Sequence, residues 1–209
     1  YFNMKIVLAT HNKNKYIEMK NILNVFPIDI ISLDEFPKIG EIVEDGTTLS
    51  ENALIKAKTV YLHTGLYSWA DDTGLEVDIL DGQPGIFSAR YAGDNCSYLD
   101  NINKLLKNMS DVPNKQRSAK FRTSIAFVGE NVELVAEGVV EGLITQKPKG
   151  VGGFGYDPVF YISEKNKTYS EMEMIEKNQI SHRSKAIQNM VKLLQSRFSK
   201  TFHKMEDIA

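Results

Sequence analysis

Two adjacent carboxylates follow a strand-like run of this chain and are the first candidates for chemistry. Asp71 and Asp72 come directly after residues 67–70 and stand before Thr73. Because successive side chains of a strand point to opposite faces, one carboxylate can face a divalent cation while its neighbour has a structural role. A carboxylate beside a bound metal can also take a proton from an attacking water. We therefore interpret Asp72 as functional; the alternative is that both residues only cap or form salt bridges.

A second acidic pair, Glu44-Asp45, lies near the end of another predicted element. Proteins bind magnesium through one or two carboxylates together with substrate phosphates and water, which makes Glu44 a candidate second ligand. Asp45 and Gly46 also form a common turn signal, and Glu44 taken alone is better explained by that turn.

Residues 150–155 read Gly-Val-Gly-Gly-Phe-Gly and match the dinucleotide-binding fingerprint letter by letter. We reject that match because Lys147-Pro148-Lys149 precedes the loop and a strand-like run over 158–162 follows it, where the fingerprint needs a strand and a helix. Phe154 stands among small neighbours that leave its ring open. We interpret it as a face for stacking a flat ring, with a tight turn that buries Phe154 as the alternative.

Two further segments are predicted to stand at helix starts, where backbone N–H groups lack partners and anions bind. In the first, Thr10, Asn12 and Lys15 are suited to phosphate, although Asn12 could simply cap the helix. In the second, His182 and Arg183 follow Ser181 and could hydrogen-bond a carbonyl or phosphate oxygen, or could be solvated residues of a first turn.

The composition places the chain among ordinary globular proteins. The sequence has 209 residues, 42% of them hydrophobic and 25% charged, with a formal net charge of -2. This charge gives no reason to expect a nucleic-acid partner, and no apolar run reaches the ~18 residues that span a bilayer. A single cysteine fits a reducing compartment, so we expect a cytoplasmic protein. Residues 1–3 before Met4 look like the remnant of an expression tag.

The elements that must position these residues alternate between strands and helices. Strands are predicted over 5–9, 28–32, 67–70, 119–128, 132–144 and 159–162. The two long strands, 119–128 and 132–144, are predicted to form a hairpin. Helices are predicted over 13–25, 98–109 and 182–198, and another begins with the capping box Thr48 to Glu51 and stops at Gly65. The β-α-β start favours an α/β architecture in a single domain, residues 4–199, followed by a tail over 200–209.

Taken in order, the motifs resemble those of the inosine triphosphate pyrophosphatase family, whose members clear non-canonical purine nucleoside triphosphates. The resemblance runs from Met4 to about Phe198. It rests on these segments: Thr10-x-Asn12-x-x-Lys15, Glu51-Asn52-Ala53, Asp71-Asp72-Thr73-Gly74-Leu75, residues 84–91, residues 152–158 and Ser181-His182-Arg183. Thr73 stands where many members have serine, and His11 where many have a small residue.

The resemblance implies a mixed α/β fold with a long central β-sheet flanked by helices, and two lobes with the active-site cleft between them. It implies a homodimer that hydrolyses a nucleoside triphosphate to the monophosphate and pyrophosphate with Mg²⁺. Asp72 would bind the metal and act as the base, with Glu44 as a second metal ligand. The residues implied to bind substrate are Thr10, Asn12, Lys15, Thr73, Phe154, Gly155, Tyr156, Asp157, Lys177, His182 and Arg183.

Base selectivity has a physical basis under this interpretation. Hypoxanthine and xanthine present a carbonyl oxygen at position 6, where adenine presents an amino group. Donors of the turn 181–183 would satisfy the oxygen and oppose the amine, because buried donors left unpaired cost binding energy. We therefore hypothesise that the turn 181–183 reads the base. A pyrophosphatase with another base preference and a catalytically silent protein that binds nucleotides or nucleic acid are the alternatives.

Overall fold

The computed structural model describes residues 4–198. The predicted tag remnant and the predicted tail over 200–209 lie outside the described residues. The seven strands are β1 Met4–Leu8, β2 Ile28–Ser32, β3 Tyr67–Val77, β4 Ser118–Gly129, β5 Val132–Ile144, β6 Phe160–Ile162 and β7 Lys167–Thr168. The five α-helices of this part of the chain are α1 Lys13–Leu23, α2 Leu49–Thr64, α3 Tyr98–Asn108, α4 Met174–Ile180 and α5 His182–Arg197.

All seven strands join one sheet in the order β2-β1-β3-β4-β5-β6-β7. Strand β1 pairs in parallel with β2 and β3, whereas β6 pairs antiparallel with β5 and β7. The predicted mixed α/β fold with a central sheet and flanking helices is thereby confirmed. Within residues 4–198, no helix combines the length and the apolar composition needed to cross a bilayer.

The chain divides into two compact units, and the described part of unit 1 comprises residues 4–72, 123–138 and 183–198. Alternate residues of β1 point to opposite faces of the sheet, and helices cover both faces in this unit. Ile6 and Leu8 pack with α1 and α5, while Val7 and Ala9 pack with α2. Burial on both faces explains why residues 6–9 form a continuous apolar run rather than an alternating one.

Unit 2 comprises residues 73–122 and 139–182 and has a hydrophobic core of its own. Leu75 and Val77 of β3 pack there with Leu105 of α3, Phe121 of β4 and Phe160 of β6. Phe121 and Phe160 form a tilted ring pair with centroids 4.6 Å apart, which adds to the burial that holds the strands together.

Strand β3 is longer than predicted. Its expected end at residue 70, before the acidic pair, is wrong, because the strand continues through Asp71 and Asp72 to Val77. Carboxylates usually mark the end of a buried strand, since an unpaired buried charge is costly. Here both carboxylates are paired with cations of unit 1, which allows the strand to carry them through the interior.

Helix α2 forms as its sequence predicts. Thr48 is the N-cap, and its hydroxyl accepts the Glu51 N–H at 3.1 Å while the Glu51 carboxylate accepts the Thr48 N–H at 3.2 Å. The helix ends at Gly65, whose φ of 67° lies in the left-handed region. In contrast, α4 and the two-residue strand β7 were not predicted, because neither has enough residues to show a periodic pattern.

We expect Thr48→Ala to lower the free energy of unfolding by about 1 kcal/mol, because the Glu51 N–H loses its side-chain acceptor. Thr48→Ser is the matched control, since it retains the hydroxyl and should stay close to the wild type. Urea unfolding followed by circular dichroism measures both. An equal loss in the two variants would assign the effect to the threonine methyl group and contradict the capping argument.

Candidate active site

The acidic residues of β3 contact different helices of unit 1, as strand alternation requires. Asp71 shares a face with Trp69, which packs in the core formed with α1 and α5. Asp72 shares the opposite face with Ala70, which packs in the core formed with α2. The two carboxylates therefore have separate surroundings and can serve separate purposes.

Asp71 is buried in a cluster of four charged side chains. Its Oδ2 atom accepts hydrogen bonds from Arg183 Nε at 3.2 Å and Nη2 at 3.1 Å, and lies 3.2 Å from Lys15 Nζ. Arg183 also donates through Nη1 to Glu18. Two carboxylates and two cations thus meet in the interior, and their formal charges cancel.

This pairing shifts the pKa of both central groups. Burial by itself raises the pKa of Asp71, but the charges of Lys15 and Arg183 outweigh it and hold that pKa well below its usual range. Burial lowers the pKa of Arg183, and the charges of Asp71 and Glu18 raise it by more. The Asp71 carboxylate and the Arg183 guanidinium are consequently both ionised at neutral pH.

Asp72 is held by two side chains of α2. Lys56 Nζ lies 3.3 Å from Asp72 Oδ1 and 2.8 Å from Glu44 Oε2. Asn52 Nδ2 donates to Asp72 Oδ2 at 3.2 Å. Burial lowers the pKa of Lys56, but the charges of Asp72 and Glu44 raise it by more than burial lowers it. The pKa is therefore raised on balance, and the ammonium remains charged.

Lys56 and Asn52 are absent from the residues predicted to form the site. They stand four positions apart on α2, beside the buried Ala53 and Ala57. Residues at i and i+4 share a helix face. The sequence pattern that could have identified Asn52 and Lys56 was therefore a polar pair on one helix face beside a stripe of small residues. Its partners could not be read from the sequence, because they lie on a loop and on a strand of the sheet.

The oxygens of Glu44 and Asp72 converge on a single cation position. In this structure the Lys56 ammonium takes that position, within 3.3 Å of both carboxylates. Among the described residues, no group of three or more His, Cys, Asp or Glu side chains could hold a metal. Two carboxylates that face one cation fit magnesium, which takes its other oxygens from phosphates and water.

The predicted phosphate segment 10–15 comprises the end of the connection between β1 and α1 and the first residues of α1. Asn12 is the N-cap of α1, and its Oδ1 accepts the N–H groups of Asn14 at 3.0 Å and Lys15 at 3.2 Å. The Thr10 hydroxyl accepts the Asn12 N–H at 3.1 Å. Asn12 therefore caps the helix, as its alternative interpretation stated, and the Lys15 ammonium forms an ion pair with the Asp71 carboxylate. Phosphate binding by these residues stays a prediction.

A second group of predicted site residues belongs to unit 2 and centres on Asp157. Its buried carboxylate accepts the Phe154 N–H at 2.9 Å and the Lys177 ammonium at 2.6 Å. The same ammonium lies 5.0 Å from the centre of the Phe154 ring and 5.4 Å from that of Tyr169. Asp157 thus fixes both the turn that presents Phe154 and the cation beside it.

The glycines of this loop leave room for that arrangement. A Cβ on Gly153, whose φ is +72°, would lie 2.2 Å from Asp157 Oδ2, so no other residue fits the turn. Gly155 also has a positive φ, of 61°. Tyr156 is buried and its hydroxyl donates to the Ser88 carbonyl at 2.9 Å; burial raises the pKa of this phenol. Phe154 itself is half-buried.

His182, also in unit 2, packs against two aromatic rings. Its ring lies 4.4 Å from Phe121 at 18°, and 5.9 Å from Tyr169. The alternative that residues 182 and 183 are solvated is wrong, since their exposed fractions are 3% and 1%. Arg183, although adjacent in sequence, binds Asp71 and Glu18 of unit 1.

Thr73 is the next residue of β3 after Asp72 and is half-buried.

An exposed imidazole joins the segment after β1 to the chain that leads to Glu44. His11 Nδ1 lies 3.3 Å from Asp34 Oδ1 and Nε2 lies 2.9 Å from the Gly40 carbonyl oxygen. Both partners are acceptors, so both contacts are satisfied only when the ring carries two protons. The hydrogen bond to Gly40 and the Asp34 carboxylate accordingly raise the pKa of His11.

We expect Asp71→Asn to lower the free energy of unfolding by about 3–5 kcal/mol, because it leaves the buried Arg183 and the half-buried Lys15 without a full counter-charge. Glu18→Gln is the matched control: it removes one carboxylate of the same cluster but leaves Asp71 in place, and should cost less. Chemical denaturation measures both. Equal stabilities of Asp71→Asn and wild type would show that the cluster does not stabilise the fold.

We expect the contribution of His11 to depend on pH. Its pKa is raised on folding, so its stabilising effect is fully present below the unfolded value of about 6.5 and is lost as the pH rises through the folded value. His11→Gln should therefore destabilise the protein more at pH 5.5 than at pH 8.5. Unfolding curves at the two pH values test this, and a difference that does not change with pH would contradict it.

The model of the Ham1 family matches residues 6–193. The dITP/XTP pyrophosphatase of Vibrio cholerae serotype O1 is 47% identical over 194 residues, which cover 91% of this chain and 96% of that protein. That of Thermoanaerobacter pseudethanolicus is 46% identical over 187 residues, which cover 90% and 94%.

Two solved structures share the fold over nearly their whole length. A HAM1 protein from Coxiella burnetii superposes with a TM-score of 0.84 and 40% identity, covering 92% of this chain and 99% of that one. The nucleoside-triphosphatase / dITP/XTP pyrophosphatase of Mycobacterium abscessus gives a TM-score of 0.73 with 38% identity, covering 90% and 98%. The resemblance carried by the sequence motifs is confirmed, and the chain belongs to the Ham1 family.

Proposed function

We propose that this chain is a Mg²⁺-dependent nucleoside-triphosphate pyrophosphatase. It hydrolyses non-canonical purine nucleotides such as dITP, ITP and XTP to the monophosphate and pyrophosphate, and so removes them from the nucleotide pool. Family membership supports the reaction class, since the relatives from Vibrio cholerae and Thermoanaerobacter pseudethanolicus are named dITP/XTP pyrophosphatases.

The observation that carries the proposal is the convergence of Glu44 and Asp72 on one cation position. The two oxygens lie 2.8 Å and 3.3 Å from the same Lys56 ammonium. A pair of carboxylates with a lysine beside them suits a triphosphate, because phosphates complete the coordination of magnesium and the lysine offsets their remaining charge. The silent alternatives, binding of nucleotides or of nucleic acid without turnover, give this acidic pair no purpose.

In the reaction, water attacks the α-phosphorus and the bond from that phosphorus to the oxygen bridging the α- and β-phosphates breaks. Asp72 accepts the proton of the attacking water, and pyrophosphate leaves with the bridging oxygen. Glu44 and Asp72 would hold magnesium, which would supply positive charge to polarise the phosphates. Lys15, with the turn formed by Thr10 and Asn12, binds phosphate oxygens and stabilises the charge that develops on the leaving group.

Base recognition is assigned to residues of unit 2. The Phe154 ring offers a face for stacking a purine, and the glycines beside it keep that face accessible. Lys177 lies 5.0 Å from the ring centre and can donate to a carbonyl oxygen of the base. His182 is held by its aromatic neighbours Phe121 and Tyr169 in a fixed orientation. Substrate binding by Gly155, Tyr156 and Thr73 is retained from the family resemblance.

Arg183 has two candidate roles, one in holding Asp71 and one in recognising the base. Its Nε, Nη1 and Nη2 atoms donate to carboxylates of unit 1, which favours a part in holding Asp71. Reading of the base by Arg183 stays a prediction, as do the homodimer, the cytoplasmic location, the absence of a nucleic-acid partner and the single domain with its cleft.

Release of pyrophosphate from dITP, ITP, XTP, ATP and GTP tests the proposal, measured with Mg²⁺ and with EDTA. We expect turnover of the first three only, its loss in EDTA, and a fall of about 10²–10⁴-fold in Asp72→Asn, which keeps the size of the side chain but removes its charge. The exposed Asp94 provides the matched control, and Asp94→Asn should behave as wild type.

The possible outcomes separate the alternatives. Turnover of a different set of triphosphates would retain the reaction and change the base preference. Binding of nucleotides without turnover, and without an effect of Mg²⁺, would favour a silent nucleotide-binding protein. Wild-type activity in Asp72→Asn would remove Asp72 from the proposed mechanism.

A further inference from the structure

Asn52 is a buried polar residue to which the proposed reaction gives no role. Its side chain is 1% exposed and makes two hydrogen bonds within unit 1. Oδ1 accepts the Gly46 N–H at 2.9 Å, and Nδ2 donates to Asp72 Oδ2 at 3.2 Å. The side chain therefore joins the loop that carries Glu44 to the strand that carries Asp72.

The chemistry of the two partners allows only one orientation of the amide. A backbone N–H can only donate, so the atom that faces Gly46 must be the Asn52 oxygen. The ionised Asp72 carboxylate can only accept, so the atom that faces it must be the nitrogen. An amide flip would break both hydrogen bonds at once, and the Gly46 contact thereby directs the donor onto Asp72.

Asn52 and Lys56 act on the two oxygens of Asp72 from consecutive turns of α2. Nδ2 of Asn52 reaches Oδ2, while Nζ of Lys56 reaches Oδ1. Lys56 also contacts Glu44 at 2.8 Å, two residues before the Gly46 amide that Asn52 contacts. Each side chain thus links the loop to the strand, one through a charged group and one through a neutral amide.

Gly46 makes the approach of the loop to α2 possible. A Cβ at this position would lie 2.7 Å from Asn52 Oδ1 and 2.8 Å from the Glu51 Cβ, both closer than real contacts. No side chain fits between the loop and the first turn of the helix. The close contact therefore brings the Gly46 N–H within reach of the Asn52 oxygen.

We propose that Asn52 is a positioning residue: it orients the Asp72 carboxylate and fixes the loop of Glu44, so that the two metal-binding side chains keep their mutual arrangement. A divalent cation between Glu44 and Asp72 repels the Lys56 ammonium, whereas the neutral amide of Asn52 keeps its hydrogen bond to the oxygen it holds. The proposal rests on the proposed function of Asp72 and Glu44.

Asn52→Leu tests the proposal, because leucine has a similar size and makes neither hydrogen bond. The matched control is Asn101→Leu in unit 2. Asn101 is 2% exposed, and its Oδ1 accepts the Ala92 N–H at 2.7 Å while its Nδ2 donates to the Ala89 carbonyl at 3.1 Å. The two variants lose comparable hydrogen bonds, and only Asn52→Leu removes a donor from Asp72.

Three measurements are made on wild type and both variants: the melting temperature, the affinity for Mn²⁺ by electron paramagnetic resonance without nucleotide, and kcat and KM for dITP with Mg²⁺. We expect both variants to lose similar thermal stability. Asn52→Leu alone should bind Mn²⁺ about 10-fold more weakly and lose about 10- to 100-fold in kcat. KM should change by no more than about twofold, since the phosphate and base contacts remain.

Asn52→Ala covers the case in which the leucine variant does not fold. It removes both hydrogen bonds without a new side chain that must be packed, so it should fold and still lose kcat. Wild-type kcat in this variant, or Mn²⁺ affinity that falls equally in Asn101→Leu, would overturn the proposal. If wild type hydrolyses none of the triphosphates, the proposed function fails, and the Mn²⁺ affinities still decide whether Asn52 holds the carboxylate pair.

Discussion

The arrangement of unit 1 depends on the burial of two consecutive carboxylates in the middle of a strand. An isolated buried charge costs several kcal/mol, and strand geometry sends the two charges to opposite faces. Each face must therefore supply its own counter-charge. Lys15 of α1 and Arg183 of α5 meet Asp71, and Lys56 of α2 meets Asp72. The helices that cover the sheet are thus placed by electrostatic requirements as well as by hydrophobic contact.

The two carboxylates differ in how completely they are neutralised, and this difference separates structure from chemistry. Asp71 faces two cations and is 1% exposed, so it has little freedom to take a proton or bind an ion. Asp72 is 8% exposed and shares its one lysine with Glu44. The pair at Glu44 and Asp72 carries two negative charges against one positive charge, and this excess suits the binding of a further cation.

Unit 2 also contains a buried carboxylate that is neutralised by a lysine, and there it fixes a loop beside that lysine. The buried Asp157 carboxylate accepts the amide of a loop residue and the ammonium of Lys177, much as Asp72 accepts from Asn52 and Lys56. A carboxylate that binds both a loop and a lysine fixes two elements with one side chain. Here the loop carries an aromatic ring and the lysine lies beside it, so the fixed pair offers a stacking face with a donor at its edge.

How far the sequence predicts this molecule depends on the distance along the chain between the groups that interact. The capping box of α2, its stop at Gly65 and the turn between β4 and β5 involve residues at most a few positions apart, and each was predicted. The continuation of β3 was missed because the groups that neutralise Asp71 are remote: the contact of Arg183 with Asp71 joins residues 112 positions apart, and that with Glu18 joins residues 165 apart. Asp72 was identified from its position after an apolar run, whereas Lys56 looked like an ordinary polar residue of a helix, and Asn52 belonged to a segment of the family resemblance without an assigned role. Their significance comes from what they contact, and a contact between elements is fixed only when the sheet assembles.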